Sequence, residues 1–194
     1  PSACAGHSLG EYSALVSLNI ITFEDALQTI NNRANKMEDI GKDLPGSMAA
    51  IIGADSTQLK IICEQDGVVV PANINAPAQV VISGETQAIK SAIKVAKGIG
   101  IRRAFQLNVS GAFHSPLMSP ARDALKEVIN SVNFQDAKVP IYQNFTANSV
   151  TCKNIIRQNI LNQLENPVLW LDTIKNIFDK EICEFIEVGP GKVL

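Results

Sequence analysis

The sequence has no surplus of positive charge: seventeen Lys and Arg stand against nineteen Asp and Glu, a formal net charge of −2. The basic footprint with which nucleic-acid binders neutralise phosphates is missing, so no nucleic-acid partner is expected. Nor does any apolar run approach the roughly 20 residues of a membrane-spanning helix, and no membrane partner is expected either. Cysteine is sparse and scattered. Cys4, Cys63, Cys152 and Cys183 form no C-x-x-C pair, and the only two histidines, His7 and His114, fall outside any metal-ligand spacing. This pattern predicts four reduced thiols and no metal site. The chain also lacks an initiator Met and a targeting segment ahead of Pro1-Ser2-Ala3-Cys4-Ala5. It stops at Gly189-Pro190-Gly191-Lys192-Val193-Leu194, a stretch suited to starting a helix. Both ends are expected to be cut, so the missing leader says nothing about targeting. No internal repeat is visible.

What is present describes a globular chain. Its 194 residues suffice for one domain, or for a core domain with a small insertion. Hydrophobic residues make up 46%, charged residues 19%, and mean hydropathy is +0.10, outside the disordered classes.

Apolar periodicity gives the order of elements. A buried helix is predicted over Glu11 to Leu18. After a capping box at Thr22-Phe23-Glu24-Asp25, an amphipathic helix follows, with Phe23, Ala26, Leu27, Ile30, Ala34 and Met37 recurring, to near Gly41. Between Gly46 and Leu107 the reading is strand Met48 to Ile52, helix Ser56 to Gln65, strands Val68 to Val70 and Val80 to Ile82. A helix over Ala88 to Ala96, closed by Gly98 and Gly100, and a strand Arg103 to Leu107 complete it. That order, βαββαβ, is the ferredoxin-like arrangement. Beyond it come a helix from Ser119-Pro120, a strand Val139 to Gln143, helices Asn154 to Leu164 and Val168 to Phe178, and a buried strand Glu184 to Val188. Strands alternating with helices predict an α/β layer, interrupted by the insertion.

Gly6-His7-Ser8-Leu9-Gly10 is a G-x-S-x-G pentapeptide between an apolar strand end and an apolar helix, where this pattern forms a nucleophile elbow. About 0.05 such pentapeptides are expected by chance in a chain of this composition. A sharp strand-to-helix turn strains the serine backbone and needs small flanking residues, leaving Ser8 Oγ free to project. The helix N-terminus offers positive potential, and the Leu9 N–H can donate to an oxyanion. A serine needs a base. His7 lies beside Ser8 on the turn, so its side chain should point away and pack or hydrogen-bond within the elbow. His114, in the small-residue loop Val109-Ser110-Gly111-Ala112-Phe113-His114-Ser115-Pro116, is the better base.

At these residues the sequence resembles the malonyl-CoA:acyl carrier protein transacylase family, met also as acyltransferase domains of fatty acid and polyketide synthases. The matching stretches are Gly6 to Leu15, Gly46 to Gly53, Ala78 to Gly84, Ala112-Phe113-His114-Ser115, Asn166-Pro167-Val168 and Glu187 to Leu194. Together they cover essentially the whole chain. The resemblance implies an α/β-hydrolase-like large domain, residues 1–45 and 108–194, with a ferredoxin-like small domain inserted at 46–107. It implies Ser8 as nucleophile, His114 as general base, Leu9 N–H as one oxyanion donor and Gln163 as the residue whose main-chain carbonyl orients the histidine. Read from the sequence alone, Gln163 is equally a polar residue near a helix end. The family's second oxyanion donor lies in an N-terminal Gly-Gln-Gly segment that this chain lacks.

Arg33 borders the apolar stripe of the Phe23 to Ile40 helix, where a guanidinium can look into a cleft while its stem stays packed. It would bind the malonyl carboxylate through its planar fork, or be an exposed helix arginine. Asn73 and Asn75 lie on the family's cleft-side segment, or are turn residues. Leu9 and Ala-Phe-His-Ser resemble malonyl-type members. The implied function is malonyl transfer from malonyl-CoA to the phosphopantetheine thiol of acyl carrier protein, by a cytoplasmic, monomeric enzyme of fatty acid biosynthesis needing no cofactor. A polyketide-synthase domain, a serine hydrolase and a non-catalytic carrier-docking unit are the alternatives.

Overall fold

The computed structural model describes residues 1–109 and 111–189. Among these residues, two sheets and seven α-helices build an α/β fold with two hydrophobic cores. The first sheet is small and mixed: β1 (Cys4–Ala5) runs parallel to β6 (Ile141–Tyr142), which pairs antiparallel with β7 (Ser149–Val150). Around it pack α1 (Leu9–Ser17), α2 (Phe23–Asp43), α5 (Ser119–Ser131), α6 (Lys153–Gln163) and α7 (Trp170–Phe178). Tyr12, Leu15, Met118, Leu125, Ile141 and Ile156 are its fully buried centre, each worth about 1.5–3 kcal/mol of burial.

The second sheet, order β3-β4-β2-β5, is made by β2 (Gly46–Ile52), β3 (Val69–Ala76), β4 (Gln79–Glu85) and β5 (Arg103–Gln106), with α3 (Ser56–Cys63) and α4 (Thr86–Gly98) as crossovers. Its alternating strand faces bury Ala49, Ile51 and Ile82 against Ile62, Ile89 and Ala92. The βαββαβ order expected between Gly46 and Leu107 is the order found. The expected Arg103 to Leu107 strand stops at Gln106.

The sheet meets the rest of the described chain along β3 and at Gly46. The edge of β3 forms a parallel bridge, Asn73 to Val168, with Ile74 N–H donating to Val168 O at 2.9 Å and Val168 N–H to Ala72 O at 2.8 Å. At Gly46 a Cβ would come within 2.5 Å of the Ala112 Cβ, so only glycine lets the loop bearing His114 lie against the start of β2.

Several expectations are corrected. Residues 182–188 form no strand: Phe185, Ile186 and Val188 are 49%, 81% and 89% exposed. A strand exists only through a neighbour's N–H and C=O groups, and this segment joins neither sheet among the described residues. The remainder of the matching stretch, Pro190-Gly191-Lys192-Val193-Leu194, lies outside the described residues, as does Ser110. In α2 the buried stripe is Ala26, Thr29, Arg33 and Met37, while Phe23 and Leu27 are 63% and 57% exposed. The helix meets its neighbours along one narrow face, and those two apolar residues lie on the adjoining one.

Only half of the expected capping box forms: Thr22 Oγ1 accepts the Asp25 N–H at 3.1 Å, and the shorter aspartate makes no return bond. The strand expected at Val139 to Gln143 shrinks to two residues, and the helix expected from Val168 begins at Trp170 because Val168 is held by β3. A short 3₁₀ turn at Pro116–Met118 and strand β7 had no sequence signal. Asn73 and Asn75 are strand residues of β3, which settles them as no turn.

Candidate active site

The chain leaves β1 through Gly6 and His7 and enters α1 at Ser8, whose backbone is strained at φ 52°, ψ −106°. A Cβ on Gly6 would lie 2.0 Å from the Gly10 carbonyl oxygen, so Gly6 cannot be replaced without moving the turn. Gly10 is different from what the motif suggests: a Cβ there meets nothing within 4 Å. Asn144, just after β6, pins the turn from below. Its Oδ1 accepts the Ser8 N–H at 2.6 Å and its Nδ2 donates to the Gly6 carbonyl at 2.7 Å. The Leu9 N–H, at the start of α1, has no protein acceptor among the described residues.

His114 comes to Ser8 from the loop after β5, itself at φ 57° and buried. Its Nδ1 lies 2.9 Å from the Gln163 main-chain oxygen, which can only accept, so Nδ1 carries the proton. Nε2 therefore presents its lone pair to Ser8 Oγ, 2.8 Å away. Burial, with the Arg33 cation adding to it, pushes the His114 pKa down to about 4, and the bond to Gln163 opposes the fall. The imidazole is neutral at pH 7, the state a general base requires.

Arg33 reaches the same oxygen from α2: Nη2 donates to Ser8 Oγ at 3.1 Å and lies 3.5 Å from Gln163 Oε1. The guanidinium is buried, over the Tyr12 ring at 5.9 Å, which rules out the alternative of an exposed helix arginine. Its Nε is buried without a hydrogen-bond partner. Arg33 is also among the residues that line a cleft of about 390 Å³, with Ala34, Met37, Glu38 and Phe113. A cation with unused donors beside a neutral serine–histidine pair is equipped to receive an anionic acyl group.

His7 points away from Ser8 Oγ, as expected from its place on the turn. Its Nε2 lies 2.8 Å from Asn75 Oδ1, and its ring meets Trp170 edge-on at 5.5 Å. Burial lowers its pKa, against the Asn75 bond. Asn73 is buried at the bridge to Val168. Among the described residues no cluster of three or more His, Cys, Asp or Glu could hold a metal ion, and no helix is long and apolar enough to cross a membrane.

Sequence reasoning missed Glu11, Gln143 and Asn144. Glu11 is fully buried in the first turn of α1, where its Oε2 takes the Asn144 N–H and Gln163 Nε2, each at 2.9 Å, and Oε1 takes Gln143 Nε2 at 2.9 Å. The available signal was a single acid in an otherwise apolar helix. Gln143 and Asn144, following a two-residue strand, carry none.

The sequence profile described as "Acyl transferase domain" matches residues 1–194. The chain belongs to that family. It is 42% identical over 198 residues to the "Malonyl CoA-acyl carrier protein transacylase" of Bacillus subtilis (strain 168), covering all of this chain and 62% of the relative. To the protein of the same name from Staphylococcus aureus (strain MRSA252) it is 39% identical, covering 64% of that relative. The chain thus spans less than two thirds of the length of these relatives. Among solved structures, the acyl-carrier-protein S-malonyltransferase of Burkholderia pseudomallei 1710b superposes with a TM-score of 0.89 at 38% identity, over 94% of this chain and 60% of that one. The complex of a type II polyketide-synthase acyl-carrier protein with its malonyl-transacylase gives 0.93 at 37%, over 98% and 63%. This acyl transferase domain therefore shares an α/β fold with solved malonyltransferases.

Proposed function

We propose that this acyl transferase domain is the core of an [acyl-carrier-protein] S-malonyltransferase, acting in the cytoplasm as a monomer in fatty acid biosynthesis. The observation that carries the reading is the contact of Ser8 Oγ with His114 Nε2 at 2.8 Å, with the other ring nitrogen committed to the Gln163 carbonyl. We read the fold as an α/β-hydrolase-like large domain, residues 1–45 and 108–194, with a ferredoxin-like small domain at 46–107; the β3-β4-β2-β5 order supports this.

In the proposed reaction Ser8 Oγ gives its proton to His114 Nε2 and attacks the malonyl-CoA thioester carbon. The Leu9 N–H donates to the developing oxyanion at the positive end of α1. The C–S bond breaks, the CoA sulfur takes the proton from His114, and a malonyl-Ser8 ester remains. The phosphopantetheine thiol of acyl carrier protein then gives its proton to His114 and attacks the ester; the C–O bond breaks and the proton returns to Ser8. Arg33 receives the malonyl carboxylate with its free donors, which discriminates against uncharged acyl groups. The thioester is already activated, so the chemistry asks for no metal or redox cofactor.

The test is the intact mass of the full-length protein mixed with malonyl-CoA and no carrier, with and without Ser8→Ala. The expected result is a malonyl adduct that Ser8→Ala abolishes. Absence of adduct and of released CoA sinks the proposal, and rapid CoA release with water as sole acceptor makes the protein a hydrolase.

A further inference from the structure

Glu11 is the only buried carboxyl among the described residues, and the acyl transfer set out above does not use it. All of its partners are donors. Oε1 accepts from Gln143 Nε2, and Oε2 accepts from the Asn144 N–H and from Gln163 Nε2. A protonated carboxyl, or an amide in its place, would aim a hydrogen at one of these donors, so the surroundings select the ionised acceptor. Burial raises the Glu11 pKa, and the three hydrogen bonds together with the Arg33 cation oppose that rise. An ionised group that buried is costly unless it is fully paired, and here both oxygens are occupied.

The two partners of Oε2 are the residues that hold the two halves of the site. Asn144 carries the nucleophile: its Oδ1 takes the Ser8 N–H at 2.6 Å and its Nδ2 holds the Gly6 carbonyl at 2.7 Å. Gln163 carries the base: its main-chain oxygen takes the His114 Nδ1–H at 2.9 Å, and its Nε2 also reaches the Ser8 carbonyl at 3.1 Å. These residues come from α1, the end of β6 and the end of α6, far apart in sequence. One oxygen atom joins them, beside a longer direct bond from Gln163 Nε2 to Asn144 Oδ1 at 3.3 Å.

We propose that Glu11 is a positioning residue: its Oε2 locks Asn144 to Gln163 and thereby sets the contact between Ser8 Oγ and His114 Nε2. The inference rests on the acyl-transfer reading for the substrate used to probe it, and on geometry alone for the rest.

The experiment compares full-length wild type, Glu11→Gln and Asn144→Ala in two reactions of Ser8: malonylation by malonyl-CoA and sulfonylation by phenylmethanesulfonyl fluoride. For each, the amplitude reports the folded, competent fraction and the rate constant reports the geometry within it. A merely structural role lowers amplitude and leaves the rate constant of the folded fraction alone. Positioning lowers the rate constants of both reactions, by roughly tenfold to a hundredfold for a displacement near 1 Å, at retained amplitude. Should Glu11→Gln fail to fold, Asn144→Ala carries the test, because it keeps the buried charge and its bond to the main-chain N–H of residue 144 while removing the side chain through which that anchor reaches Ser8, Gly6 and Gln163. Rate constants within about twofold of wild type, in whichever variant folds, overturn the proposal. Wild type that reacts with the sulfonyl fluoride but not with malonyl-CoA overturns the substrate reading and leaves the Glu11 comparison intact; wild type inert to both overturns the two together.

Discussion

Gln163 offers His114 a neutral main-chain oxygen 2.9 Å from Nδ1, at the position where a Ser-His-Asp triad has a carboxylate. The carbonyl fixes the tautomer as a carboxylate would, but gives an imidazolium no opposite charge. With burial and the Arg33 cation acting on it as well, protonated His114 is a stronger acid than an ordinary imidazolium, suited in the proposed reaction to handing its proton to a departing thiolate.

Because the orienting oxygen belongs to the backbone, Gln163→Ala keeps it. The variant should acylate at least ten times faster than His114→Ala, whose loss of general-base catalysis is expected to cost about 10²–10⁴-fold. Single-turnover acylation by malonyl-CoA measures both, and equal losses would show that the Gln163 side chain matters as much as the base itself.

Arg33→Ala should lower kcat/KM for malonyl-CoA about a hundredfold, the scale of losing hydrogen bonds to a charged group. Acetyl-CoA has no carboxylate to lose, so the malonyl-to-acetyl ratio should collapse. Arg33→Lys should recover little of it, since an ammonium cannot replace the fork. An unchanged ratio would remove Arg33 from substrate recognition.

The two motif glycines should behave oppositely. Gly6→Ala forces a Cβ to 2.0 Å from the Gly10 carbonyl oxygen, and destabilisation of more than about 3 kcal/mol is expected. Gly10→Ala meets nothing within 4 Å and should be neutral or stabilise α1 by up to about 1 kcal/mol. Urea denaturation of the two variants decides this.

Stability should fall as pH drops from 6.5 toward 4. His114 has its pKa lowered to about 4 in the folded protein, so over that window the unfolded chain binds more protons and stability rises with pH. Its share is on the order of 3 kcal/mol. The buried Glu11, with its pKa raised, contributes with the opposite sign: its share is present below its ordinary pKa and lost as pH rises. Thermal unfolding of wild type and His114→Gln across pH 4–6.5 isolates the histidine, and parallel curves would refute its contribution.

The parts of the site that were legible in the sequence are those with a local signature. G-x-S-x-G marks Ser8 and Leu9, and with only two histidines in the chain, elimination leads to His114. The order of elements between Gly46 and Leu107 was legible because each strand and helix there has its own apolar period. The buried face of α2 was not, since Phe23 and Leu27 satisfy helical spacing as well as Ala26 and Met37, and only packing chooses between them. Gln163 was reached through resemblance, because a main-chain carbonyl has no residue type. The network of Glu11, Gln143 and Asn144 was invisible for a related reason: its members meet only through tertiary structure. The expected strand at Glu184 to Val188 failed because apolar sequence supplies strand propensity but cannot supply a neighbour.

The pairing of β2 with β5, in register from Ala49 with Gln106 to Ile52 with Arg103, brings the chain's departure into the second sheet beside its return. Adjacent strands lie about 4.8 Å apart, so to the surrounding layer this long excursion is topologically little more than a tight turn. It is a cassette. On the proposed two-domain reading, much of its surface can vary while Ser8, His114 and Gln163 stay in place, provided the contacts at Gly46, Asn73 and Asn75 are kept.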